Sequence, residues 1–90
     1  MNAQQRFALC PDIVFQEFAD EALLLNLKTE MIYQLNVTGT RIVSLISQGK
    51  SLQQITHSLL DEFDATPEQV DCEVRELITT LMAQHLLSPA

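Results

Sequence analysis

Basic side chains are scarce in this 90-residue chain: five lysines and arginines stand against twelve aspartates and glutamates, for a formal charge of -7. Binding a phosphate backbone needs the opposite balance, so unmodified DNA and RNA are poor partners. Long apolar runs are missing too. The stretch 22–25 falls far short of the roughly 20 residues of a membrane span, so no membrane partner is expected. Residues 1–7 show no charged segment leading into an apolar one, hence no secretion signal, and a cytoplasmic location is expected. With two glycines in all, the chain has no glycine-rich phosphate loop, and no Ser-His-Asp or Cys-His pattern appears. Cys10 and Cys72 are far apart, and neither they nor His57 and His85 form a set with metal-ligand spacing. Asp61, Glu62 and Asp64 lack the glycine of a calcium loop and read as a solvated helix end. Reduced structural thiols, no metal, no cofactor and no catalysis are the expectations.

What the chain does have is apolar residues, 47% of the total, and a change of periodicity near Asn36. That content supports one compact domain over 1–90, with 1–12 and 88–90 loosely ordered. Before Asn36 the pattern is that of strands. Residues 13–19 mix Ile13, Val14, Phe15 and Phe18 with Gln16 and Glu17, 22–27 are nearly all apolar, and 31–35 carry Ile32 and Tyr33. Asp20–Glu21 and 28–30 supply polar turns, so the second and third runs should form a hairpin. After Asn36 the spacing becomes helical. Asn36 or Thr38 caps a first helix carrying Ile42, Leu45 and Ile46, and Gly49 ends it. Ser51 and Gln54 form a capping box before Leu52, Ile55, Leu59 and Phe63. Thr66-Pro67-Glu68-Gln69 is a second box, with proline where its missing N–H costs little, and an apolar stripe then runs from Val70 to Leu86. The expected fold is α+β, a winged-helix-like three-stranded antiparallel sheet followed by three helices.

The ordered series Ala22-Leu23-Leu24-Leu25-Asn26-Leu27, Tyr33-Gln34-Leu35-Asn36-x-Thr38-Gly39-x-x-Ile42, Gly49-Lys50-Ser51-Leu52-x-x-Ile55 and Glu73-Val74-x-x-Leu77-Ile78-x-x-Leu81 resembles the PqqD-like family. Each motif is weak alone; their order is specific, and the likeness covers the chain from about Ile13 onward. The resemblance implies a peptide-recognition element of ribosomally made, modified peptide pathways, which holds a precursor's leader segment for a separate peptidase, cyclase or radical enzyme. It implies that the leader pairs as an added strand along the third strand, beside the last helix. By position, Met31, Ile32, Tyr33, Gln34 and Leu35 form the docking strand, with Val70, Glu73, Val74 and Leu77 across the groove. Under that mode, Tyr33→Pro is expected to abolish binding by removing a backbone donor. The member that serves pyrroloquinoline quinone synthesis usually has a Tyr-Pro-Glu-Gly-like turn where this chain has Asn26-Leu27-Lys28-Thr29-Glu30. The Leu35-Asn36-x-Thr38-Gly39 form is more like the freestanding leader-binding members of lasso-peptide pathways.

Plainer readings stand beside these. On spacing alone, 31–35 is an edge strand, and Val70, Val74 and Leu77 are ordinary core positions. Tyr33 suits a peptide contact or a half-buried place beside the sheet equally well. Asp71, Glu73 and Glu76 either select a basic leader or form a solvated helix face. The rival functions are a winged-helix transcription regulator, which the charge opposes, and a homodimer pairing through the same sheet edge.

Overall fold

The computed structural model describes residues 2–90. Its elements are β1 (Phe7–Leu9), β2 (Ile13–Phe18), β3 (Glu21–Asn26), β4 (Ile32–Leu35), α1 (Val37–Ser47), α2 (Leu52–Glu62), α3 (Pro67–Ala83) and β5 (Leu87–Pro89). Strands β2, β3 and β4 form the expected three-stranded antiparallel sheet, in that order, and three helices follow. The fold is α+β.

Period-2 alternation fixes which sheet face is covered. Ala22, Leu24 and Leu35 point inward and are buried, with Phe15 and Tyr33 half-buried on the same face. They meet Ile42, Val43, Leu45 and Ile46 of α1, Leu52, Ile55 and Leu59 of α2, and Val70, Val74, Ile78 and Leu81 of α3, all in one core. Burying side chains of this size stabilises the fold by about 1.5–3 kcal/mol each before chain entropy is subtracted.

Cap chemistry sets the helix starts. Asn36 Oδ1 accepts the Gly39 N–H at 2.8 Å, which settles the first cap on Asn36 rather than Thr38. Ser51 and Gln54 exchange two bonds, of 3.3 and 2.9 Å, and Thr66 and Gln69 do the same at 3.2 and 3.1 Å, with Pro67 in the first turn. The β3–β4 turn is held by Asn26, whose Oδ1 accepts from the N–H groups of Lys28 and Thr29. The β2–β3 turn places Ala19 at φ 56, a left-handed conformation in which its Cβ is strained.

The chain ends differ from the sequence expectation. Residues 7–9 and 87–89 pair as an antiparallel ribbon, Phe7 opposite Pro89 and Leu9 opposite Leu87. Phe7 is 2% exposed and belongs to the core. Leu52 and Gln53 also donate N–H groups to the carbonyls of Gln5 and Ala3, so the N-terminal segment satisfies the orphan donors that open α2. The last helix stops at Ala83, not Leu86. His85 turns the chain at φ 59, and Leu86 and Leu87, periodic with the helix in sequence, are buried through the ribbon instead. Cys10 is half-buried, Cys72 is exposed, and both are free thiols.

Candidate peptide-binding groove

Among the described residues, strand β4 has β3 on one side and no strand on the other. The Asn26 N–H donates to the Met31 carbonyl at 2.9 Å, and the register places Leu24 opposite Tyr33 and Ala22 opposite Leu35. Antiparallel pairs alternate between bonded and non-bonded, so Tyr33 and Leu35 spend their main-chain groups on β3. The N–H and C=O of Ile32 and Gln34 therefore point to the open edge. Such groups are a ready template for another strand.

Helix α3 forms the opposite wall. Its Val70, Val74, Ile78 and Leu81 are turned into the core, which leaves the neighbouring stripe Glu73, Glu76, Leu77 and Thr80 toward β4. Together with Tyr33 and the first turns of α1, this stripe lines a depression of about 340 Å³. A second depression of about 260 Å³ continues past Tyr33, between Met31, Ile32, His85 and Leu86. Tyr33 lines both and divides the groove in two. Gly39 explains its place in the Asn36-x-Thr38-Gly39 series: a Cβ there would meet Asn36 Oδ1 at 3.2 Å and Leu35 Cδ2 at 3.3 Å, crowding the cap at the groove's inner end.

The nine residues assigned from sequence divide by burial. Met31 (67% exposed) and Ile32 (60%) line the second depression, Gln34 is exposed on the edge, and Tyr33, Glu73 and Leu77 line the first. Leu35 (2%), Val70 (3%) and Val74 (0%) are core residues that support the groove from beneath and offer a ligand no surface. The proline experiment moves as well. The Tyr33 N–H faces β3, so Tyr33→Pro breaks the sheet itself, whereas Ile32 and Gln34 carry the outward donors. Sequence reasoning missed Asn36, Thr38 and Thr80 on one side and Asn26, Gln84 and His85 on the other, and offered Glu76 only as a charge that selects a basic leader. Thr80 had a signal, standing seven residues after Glu73 on the same helix.

An edge strand with free hydrogen-bonding groups, beside depressions that take alternate side chains, is the geometry of strand addition. The sequence model of the family coenzyme PQQ synthesis protein D (PqqD) matches residues 21–87, and the chain belongs to that family. No curated protein matches it. Among solved structures, TbiB1 in complex with the TbiA(beta) leader peptide superposes with a TM-score of 0.84 at 28% identity, over 89% of this chain and 93% of that one. Lasso peptide synthetase B1 complexed with the leader peptide superposes at 0.85 and 24% identity, over 93% and 99%, a likeness of fold.

Proposed function

We propose that this protein captures the leader segment of a ribosomally made precursor peptide by strand addition along β4, beside α3, and presents it to a separate modifying enzyme. The observation that carries this reading is the open edge of β4, with the Ile32 and Gln34 main-chain groups directed out beside two depressions. Family membership and the leader-bound state of two structural relatives support it. Main-chain pairing supplies affinity that is indifferent to sequence, and the depressions either side of Tyr33 supply selectivity. The domain acts without chemistry of its own. Its contribution is proximity, since a tethered peptide meets the enzyme at a raised effective concentration. The proposed setting of leader capture is the cytoplasm; separately, among the described residues no helix is long and apolar enough to cross a membrane.

The test is titration of the isotope-labelled protein with the leader of the precursor peptide encoded nearest to it. Saturable amide shifts centred on Ile32, Tyr33, Gln34, Glu73 and Leu77 are expected. A folded protein that shows no saturable shift overturns leader capture.

A further inference from the structure

From sequence, residues 1–12 are expected to be loosely ordered, yet Cys10-Pro11-Asp12-Ile13 forms a hydrogen-bonded turn in which the Ile13 N–H donates to the Cys10 carbonyl at 3.3 Å. Its chemistry is restrictive at each step. Proline fixes its own φ and keeps the residue before it out of the helical region, and Asp12 stands at φ 71, the positive value that the third residue of a type II turn requires. Pro11 and Asp12 are both exposed, so their side chains add little packing, and what the turn supplies is backbone geometry. A non-glycine residue held at positive φ is a strain that the surrounding structure must impose.

Two further main-chain bonds show what that geometry holds. The Cys10 N–H donates to the Leu86 carbonyl at 3.0 Å, and the Asp12 carbonyl accepts from the Leu27 N–H at 2.8 Å. Leu86 stands with His85 in the α3-side wall of the second depression. Leu27 directly follows Asn26 and opens the turn that leads to Met31, and both of those residues belong to the sheet-side wall. The turn is therefore bonded to both walls of a depression that it does not itself line. It is also the short link between the β1–β5 ribbon and the three-stranded sheet, which share no strand pairing. The first depression is spanned differently, by the first turns of α1, which follow β4 directly.

We propose that the Cys10–Ile13 turn is a strut that sets the width of the second depression, which makes Pro11 a positioning residue for the leader side chain that enters there. The role rests on the leader-capture reading. Walls already held at their bound spacing spare the leader the cost of ordering them, and affinity rises accordingly. Pro11 acts through the two main-chain ties and not by contact with the peptide.

The experiment uses Pro11→Gly in the full chain, with the leader of the precursor peptide encoded nearest to this protein as the probe. In the free variant, amide exchange should quicken at Cys10, Ile13 and Leu27, the three donors of the turn and its ties, and stay as it was at Ile55 and Ile78 in the core. Leader affinity should fall roughly three- to tenfold. That loss should shrink to less than about twofold where Met31→Ala has already removed a wall of the second depression, and should add in full to that of Leu77→Ala in the first. Pro11→Ala, which frees the backbone less than glycine does, should fall between the two. Unchanged leader affinity, or unchanged exchange at Leu27, overturns the strut and leaves leader capture standing. A loss that adds equally with Met31→Ala and Leu77→Ala, or exchange that quickens throughout the helices, reduces the turn to general stability and overturns its positioning role. A parent chain that does not bind the leader overturns the capture reading itself, and the strut's role with it.

Discussion

Strands β2 and β4 are the two edges of one sheet, and both direct free main-chain groups outward. Their surroundings differ. Beside β4 stand the first turns of α1 and the Glu73–Leu77 stripe of α3, which convert the edge into one side of a groove. Strand β2 presents exposed Gln16 and Glu17, and neither depression of the β4 groove is lined by a β2 residue. An open edge supplies affinity for any extended chain, and an unprotected edge is a hazard more often than a site. The helix wall beside β4 is what makes selective capture feasible, because alternate side chains of an added strand need pockets to enter.

The largest effect should come from proline on the edges. In Gln34→Pro the outward N–H is lost and the ring obstructs an added strand, so leader affinity should fall by at least about tenfold, some 1.4 kcal/mol. In Glu17→Pro, the matched change on β2, leader affinity should hold. Calorimetric titration, with circular dichroism to verify folding, checks both, and an equal loss in the two variants would erase the distinction between the edges.

Next in size is the contrast between wall and support. Leu77→Ala removes half-buried groove surface and should weaken leader binding by about 1–2 kcal/mol with little change in stability. Val74→Ala, one turn away at 0% exposure, should cost about 2 kcal/mol of stability and leave the affinity of the folded fraction intact. Urea unfolding paired with titration separates them. The smallest effect should be that of Ala19→Gly, which relaxes the left-handed turn beside β2 and should stabilise the fold by up to about 1 kcal/mol. A thermal melt reads that change, and leader affinity should not move.

The sequence made the three-stranded sheet and all three helix starts legible because their signals are local. Asn36, Ser51–Gln54 and Thr66–Gln69 each announce a cap through a side chain that bonds its own backbone neighbours, and the polar run 28–30 marks the turn between the second and third strands. The ribbon of 7–9 and 87–89 was not legible, since three-residue strands are too short to show alternation and their partner lies at the other end of the chain. Leu86 was misread as helix because its spacing continues the α3 stripe, while the break rests on one left-handed residue, His85. The groove was half legible. Periodicity marks an apolar stripe without saying which flank stays open, so Val70 and Val74 were assigned to the wall, whereas Glu76 and Thr80, which do line it, resemble a solvated face.

Amide hydrogen exchange, residue by residue, with and without the leader, tests the central claim most directly. Strand addition on β4 should slow exchange at Ile32 and Gln34, whose N–H groups point to the open edge, and leave Phe15 and Glu17 on β2 unchanged. Protection that appears on β2, or leader binding with no protection at Ile32 and Gln34, would contradict the account.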